Sequence, residues 1–326
     1  MPTLSPGKIR ALQTTATPDG HFAILAIDHR DSLRVLLNPP QPDAIPAAEL
    51  TGLKLDIIRH IAPLASAVML DPEYSAAQAI ATEALPGRVG FLCAAEAQGY
   101  LGDPRVKQNS LLPGWSVAKA KRLGAGGIKL LVLYHPEAGE VTARQEELVQ
   151  AVVADCARED IPLFLEPLLY APDPALPVKS AGFAAQRRRW VVETARRLTA
   201  LGPDILKLQF PLDAAHNPDP AEWADACAEL NEAAARPWAL LSGGDPFDTF
   251  KAQLQVACRA GCSGFMVGRA LWGDAIAADP ARRAELLQTT VRARFAELAG
   301  IAADSGKSWR TKYAPPPVDE TWFRGY

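Results

Sequence analysis

Apolar residues along this chain gather into eight short, mostly unbroken runs: Phe22–Asp28 (FAILAID), Ser66–Asp71 (SAVMLD), Gly90–Glu96 (GFLCAAE), Gly127–Tyr134 (GIKLLVLY), Ile161–Tyr170 (IPLFLEPLLY), Asp204–Pro211 (DILKLQFP), Trp238–Gly244 (WALLSGG) and Cys262–Ala270 (CSGFMVGRA). Strict alternation would mark strands with one wet face, whereas unbroken runs suit strands buried on both faces. Between them, the stretches 115–124, 143–159, 183–201, 220–235, 246–260 and 280–299 carry apolar residues at helical spacing. Strand and helix in repeated alternation predict a parallel sheet. The residues closing the runs (Asp28, Asp71, Glu96, Tyr134, Glu166, Lys207, Gly243 and Arg269) are on average about 34 residues apart, the length of one unit of an eightfold barrel. Eight units and no ninth predict an α/β fold in the form of a closed (β/α)8 barrel. An open, doubly wound sheet shares this order of elements, but the phosphate-binding patterns GxGxxG and GxxxxGK[ST] that often accompany it are absent.

No Ser/Gly linker interrupts the pattern, so residues 1–326 read as one domain, with the barrel over about 20–300 and a C-terminal tail over 301–326. The proline-rich stretches Pro39–Pro46 and Pro172–Pro177 read as loops. The tail carries Trp309, Tyr313 and Trp322 in a polar segment and is expected to wrap the barrel or reach a neighbouring subunit of a homo-oligomer.

Composition narrows the function classes. Hydrophobic residues make up 48% and charged ones 22%, a balance that excludes disordered and coiled-coil classes. The net charge of −3 offers no field for nucleic acid or an anionic membrane, so an anionic partner must be small and met locally. No apolar run approaches the ~20 residues of a membrane span, and the start MPTLSPGKIRALQTTATPDG lacks a secretory apolar core, which points to the cytoplasm. Five scattered cysteines without a CxxC pair suggest neither a disulfide framework nor a zinc ribbon.

In a barrel of this kind, chemistry sits at the C-terminal ends of the strands, so polar residues inside or closing an apolar run carry the most weight. Lys129 (GGIKLLVLYHP) and Lys207 (PDILKLQFP) are lysines embedded in apolar strands. Desolvation and a neighbouring cation favour a neutral amine, which can attack a ketone and form a Schiff base. Snorkelling outward between helices is the bland alternative. Glu166 (FLEPLLY) suits a general acid/base, or simply an ion-pair partner of Lys129 or Lys207. Asp28 and Asp71 add carboxylates at the same rim, and Asp71, before Pro72, reads as a residue that orients a lysine or caps a helix. On the last two strands, Ser242, Gly243, Gly244 and Gly268 let backbone N–H groups approach an anion, and Arg269 adds a bidentate charge, which together suggest a phosphate cradle. A metal site is the competing chemistry: His29 and His135 with Asp71, Glu96 or Glu166 have the right donor types, but neither HxH nor HExxH spacing occurs.

Taken in order, LAIDHRDSL (25–33), LDPEYS (70–75), GIKLLVLYHP (127–136), PLFLEPLLY (162–170), DILKLQFP (204–211), LLSGG (240–244) and GFMVGRALW (264–272) resemble the class I aldolases of the tagatose-bisphosphate aldolase family, which includes the sulfofructose-phosphate aldolases. The resemblance implies a barrel that cleaves a ketose phosphate to dihydroxyacetone phosphate and an aldehyde through a Schiff base, with no metal and no cofactor. It implies Lys207 as the Schiff-base lysine, Glu166 as the acid/base, Lys129 as a second active-site lysine and Asp28 as the first-strand aspartate. Ser242, Gly243, Gly268 and Arg269 match its anion-binding positions. Two positions depart from the family pattern: Asp28-His29-Arg30 replaces the common DQR, and Gln209 stands where an acid often follows the lysine. His29, Arg30, Arg34, Arg88, Arg105 and Lys107 are candidate contacts for the far end of the substrate.

The expected mechanism has Lys207 attack the C2 carbonyl, Glu166 shuttle protons, Lys129 favour the neutral form of Lys207 and Asp28 orient hydroxyls. A phosphosugar isomerase or epimerase using Glu166 as base, a metal-dependent aldolase and a non-catalytic sugar-phosphate sensor are the alternatives.

Overall fold

The computed structural model describes residues 1–103, 105–276 and 279–326. Eight strands, β1 (Phe22–Ala26), β2 (Ala67–Leu70), β3 (Gly90–Ala94), β4 (Gly127–Tyr134), β5 (Leu163–Leu169), β6 (Ile205–Leu208), β7 (Trp238–Leu241) and β8 (Gly264–Val267), pair in parallel in sequence order. β8 returns to β1 in the register Phe22↔Gly264 and Ile24↔Met266, closing the barrel. Each strand falls within one of the eight apolar runs. The helices are α1 (Pro6–Thr15), α2 (Asp31–Leu37), α3 (Ala47–Ile61), α4 (Ala76–Ala81), α5 (Val117–Leu123), α6 (Glu140–Arg158), α7 (Ala181–Ala200), α8 (Pro220–Ala233), α9 (Phe247–Ala260), α10 (Arg269–Ile276), α11 (Pro280–Gln288) and α12 (Thr290–Ser305).

The unbroken runs have a direct structural cause. Along each strand, side chains alternate between barrel interior and helix layer. Ile24, Ala26, Met69, Leu92, Phe164, Ile205, Ala239 and Met266 fill the interior, while Leu25, Val68, Leu70, Leu165, Leu206, Leu208 and Val267 pack against helices. Both sets are apolar, so no polar beat appears in the sequence. Lys129, Glu166 and Lys207 share the parity of the interior set, each lying one step of two beyond Gly127, Phe164 and Ile205 respectively, so they point into the barrel and the outward-snorkelling reading does not hold.

The tail closes the N-terminal end of the barrel. Trp309 and Tyr313 join Leu4, Leu12, Phe22 and Phe164 in the lower interior layer. The Tyr313 hydroxyl donates to the Asp204 carbonyl at 2.5 Å, and Trp309 N–H to the Gly20 carbonyl at 3.0 Å. Trp322, in contrast, is exposed.

Three departures from the sequence pattern stand out. The stretch 280–299 is two helices, because Thr289 (φ −112°, ψ −86°) leaves helical geometry between α11 and α12, and α12 runs on to Ser305, past the expected start of the tail. The four helices α1 to α4 were not expected. α3 is the largest of them and buries Leu50, Leu53, Leu55, Ile57, Ile58 and Ile61 together with Lys54.

Candidate active site

The inward parity of Lys129 and Lys207 places both amines in a cavity of about 480 Å³ at the C-terminal end of the barrel. Register sets their neighbours. Ala94 pairs with Lys129, and Lys129 with Phe164, so Glu96 and Glu166 stand one inward step above on either side; Leu165 pairs with Leu206, which brings Glu166 level with Lys207.

The result is a chain of alternating charge. Lys129 Nζ lies 2.7 Å from Asp28 Oδ2, 2.6 Å from Glu96 Oε1 and 3.2 Å from Glu166 Oε2. The other oxygen of Glu166 reaches Lys207 Nζ at 2.8 Å, and Met69 Sδ lies 3.6 Å from the same amine. Lys129 is 2% exposed and Lys207 5%. Burial favours neutral Lys129, but Asp28, Glu96 and Glu166 outweigh it and hold its pKa well above the ordinary lysine value. Burial likewise works against ionised Asp28 and Glu166, but Lys129 and Lys207 pull both below the usual carboxylate range. Glu166 is therefore an ionised acceptor in contact with the Lys207 amine, and it stands between the two lysines. Lys129 is a fixed cation organising three carboxylates.

Arg30 braces this cluster from behind. At 2% exposure, its Nη1 donates to Glu73 Oε2 (2.7 Å) and its Nη2 to the Glu96 carbonyl (2.8 Å). It lines the cavity, as the sequence reading of it as a substrate contact requires, but these bonds already engage both of its terminal nitrogens. Asp71 turns away. It pairs with Lys54, both fully buried, accepts from Ser75 Oγ at 2.7 Å and caps the turn through the Tyr74 N–H at 2.7 Å. That is the orienting and capping role, not catalysis.

Across the mouth, Ser242, Gly243, Gly244, Gly268 and Arg269 come together as the sequence pairing suggested. Gly243 (φ 59°) and Gly244 (φ 93°) form a left-handed turn that a side chain would strain, and a Cβ on Gly244 would lie 3.3 Å from the Arg269 guanidinium. A Cβ on Gly268 would lie 2.7 Å from His29 Cε1, so this glycine makes room for the imidazole. α10 begins at Arg269 with no acid in its first turn, and Arg269 has no ion-pair partner among the described residues. A free guanidinium, a helix N-terminus and a side-chain-free turn thus face one corner of the cavity, the chemistry of an oxyanion cradle.

A model of the DeoC/LacD family of aldolases matches residues 22–274. The chain belongs to this family. The aldolase, a carbon–carbon lyase, is 28% identical over 326 residues to the tagatose 1,6-diphosphate aldolases of Staphylococcus aureus strains JH9 and Newman, covering 94% of this chain and 98% of each relative. In fold it is similar to the crystal structure of an archaeal fructose 1,6-bisphosphate aldolase, with a TM-score of 0.60 and 20% identity over 90% of this chain and 99% of that one. A Corynebacterium glutamicum crystal structure aligns with a TM-score of 0.64 and 18% identity over 93% of this chain and 99% of that one.

Two parts of the site in this aldolase were not anticipated. Glu96 was weighed only as a metal ligand, whereas it is the shortest contact of Lys129 and also accepts from the Leu131 N–H at 3.1 Å. Its position closing a strand run was the signal. Lys54, the partner of Asp71, left no signal because it sits mid-helix. Of the two histidines weighed for a metal, His29 lines the cavity, but His135 packs on Trp190 with ring centroids 4.5 Å apart and accepts from the Glu137 N–H.

His29 is mostly buried, and burial is the main cause that lowers its pKa from 6.5 to about 4; Asp28 opposes this, while Arg269 and Lys207 add to it. At neutral pH it stands in the cavity wall as a neutral imidazole. Because the folded state refuses a proton that the unfolded chain accepts, stability is lost as pH falls from 6.5 toward about 4. His135, also lowered, adds to the same slope. Urea denaturation at pH 7 and pH 4 should show wild type losing up to about 3 kcal/mol more than His29→Gln over that range. Equal losses would mean that His29 takes its proton in the folded state.

Proposed function

We propose that the chain is a Schiff-base-forming aldolase that reversibly cleaves a ketose phosphate, of the tagatose or fructose bisphosphate or sulfofructose phosphate type, into dihydroxyacetone phosphate and an aldehyde. One observation carries the reading: Lys207 Nζ, inside the barrel, lies 2.8 Å from an ionised Glu166 that a second lysine holds in place. The similarity to relatives named as tagatose 1,6-diphosphate aldolases supports it.

The steps follow from these positions. Glu166 takes a proton from Lys207, and the amine adds to the C2 carbonyl to give a carbinolamine. Glu166 returns the proton to the leaving hydroxyl, water departs and an iminium forms. A carboxylate takes the C4 hydroxyl proton, the C3–C4 bond breaks and its electron pair moves into the iminium, leaving an enamine and a free aldehyde. Protonation of the enamine at C3 and hydrolysis of the new iminium release dihydroxyacetone phosphate and restore Lys207. Asp28 orients hydroxyls. The C1 phosphate rests on Ser242, Gly243, Gly244, Gly268 and Arg269, so that binding energy remote from the reaction positions the ketone.

Borohydride added with dihydroxyacetone phosphate is expected to inactivate the protein and to add the reduced adduct to the peptide containing Lys207. An unlabelled lysine with activity lost in EDTA would overturn the reading in favour of metal chemistry. We further propose that residues 1–326 act as one barrel unit in a cytoplasmic homo-oligomer. Sugar phosphates are held inside cells by their charge, and the tail leaves Trp322, Phe323 and Tyr326 exposed, apolar surface that a neighbouring subunit would cover.

A further inference from the structure

The imidazole of His29 stands between Asp28 and the cradle at the ends of β7 and β8, and both of its nitrogens are without a hydrogen bond among the described residues. Its ring meets Trp272 edge-on, with centroids 5.1 Å apart and planes at 89°, and the Trp272 indole N–H is itself anchored on the Ala26 carbonyl at 3.1 Å. On the other side lies Gly268, where a Cβ would stand 2.7 Å from Cε1 and 3.3 Å from Nε2. The ring is therefore held against the cradle. Its Nδ1 is buried and lies 4.0 Å from Asp28 Oδ1, too far for a hydrogen bond, while Nε2 lies toward Gly268.

Four charged groups act on this ring. Burial is the largest influence against its protonation, Arg269, Lys207 and Lys54 add to it, and Asp28 works the other way. Three of the four are already compensated: Asp28 lies 2.7 Å from Lys129, Lys207 lies 2.8 Å from Glu166, and Lys54 is paired with Asp71. Arg269 is the exception, with no carboxylate partner among the described residues. The loop cations weighed from the sequence stand elsewhere: Arg105 pairs with Asp103, Arg34 donates to the Ile45 carbonyl, Arg88 lines a separate groove, and Lys107 lies against the Tyr100 and Tyr170 rings. An oxyanion in the cradle reverses the balance at His29, because it pairs with Arg269 and brings negative charge beside Nε2. Ionised Asp28 favours the neutral ring's hydrogen on Nδ1, so Nε2 turns a lone pair toward the incoming oxygens. That contact is repulsive until Nε2 is protonated.

We propose that His29 is a binding residue that takes up a proton from solvent at Nε2 when a phosphate seats in the cradle, so that the anion is held by an imidazolium beside Arg269. This inference rests on the aldolase reading above, which places the C1 phosphate there. The proton returns to solvent when the phosphate leaves. Glutamine, the residue of the common DQR pattern, has no site for such a proton, so the coupling belongs to the histidine of this chain. Its sign is fixed. Because the complex holds one proton more than its separate parts, affinity falls as pH rises through the imidazolium pKa of the complex.

Glycerol 3-phosphate is the probe, because it carries the phosphate without a ketone and cannot form a Schiff base. Titrated by calorimetry at pH 7 in two buffers of different ionisation enthalpy, it is expected to bring about half a proton or more into the wild-type complex and less than about 0.2 into that of His29→Gln. Between pH 6 and pH 8, wild-type affinity is expected to fall about tenfold, against about threefold or less in the variant. In protein labelled with 15N-histidine, the His29 signals, identified by their loss in the variant, should move from neutral to imidazolium positions on saturation at pH 7. A ring that stays neutral and only moves its hydrogen to Nε2, parallel pH profiles in the two proteins, or no saturable binding by wild type would each overturn the inference. The aldolase reading is judged separately, by borohydride trapping of dihydroxyacetone phosphate on Lys207. Trapping with a neutral His29 would sink the inference alone, whereas proton uptake without trapping would sink the aldolase reading and leave a phosphate site.

Discussion

Lys207→Met is expected to lower kcat/KM for carbon–carbon cleavage by roughly 10⁴-fold or more while the fold persists. On the proposed mechanism the loss is that large because the Lys207 amine becomes the electron sink: without an iminium, the pair from the broken C3–C4 bond would have to rest on an unactivated carbonyl. The fold should tolerate the change. Methionine is close in length, Met69 and Met266 already occupy the same interior layer, and Glu166 keeps Lys129 as a cation at 3.2 Å. Cleavage followed by coupled detection of dihydroxyacetone phosphate, with circular dichroism as the folding control, measures both parts. A variant that folds and keeps a few per cent of its turnover would point instead to proton abstraction by Glu166, the isomerase or epimerase reading.

The barrel was legible because burial on both faces removes the polar beat from a strand, so each run of apolar residues marked its own strand. The lysines were visible for the same reason, as charges that such a run should not contain. What the chain order hides is pairing. Asp28 and Asp71 each close an apolar run, yet Asp28 goes to Lys129 across the barrel, while Asp71 turns outward to Lys54 on α3. Nothing local separates them; the position of α3 does. α3 itself shows helical spacing from Leu50 to Ile61, but the prolines before it read as loop, and Lys54, mid-helix, carries no local mark of its partner. Glu96 became a partner of Lys129 only through the β3–β4 register, across 33 residues.

That register gives the second large effect, at Lys129. Replacing it by methionine leaves Asp28, Glu96 and Glu166 buried without the cation they share, and breaking a buried ion pair from one side costs about 3–5 kcal/mol. The sign of the pH dependence follows. In wild type, Asp28 and Glu166 have lowered pKa values, so their contribution is present above the unfolded carboxylate pKa and is lost as pH falls through the folded values. In the variant, Asp28 loses the largest charge that lowers its pKa while burial still raises it, so its carboxyl takes up a proton more readily in the folded state than in wild type and stability falls less as pH drops. The gap between wild type and Lys129→Met should therefore be widest near pH 8 and narrow toward pH 5 in urea denaturation. A gap independent of pH would reduce Lys129 to a packing residue, whereas a narrowing gap together with lost turnover at pH 8 ties the charge of Lys129 to the ionised Glu166 that Lys207 needs.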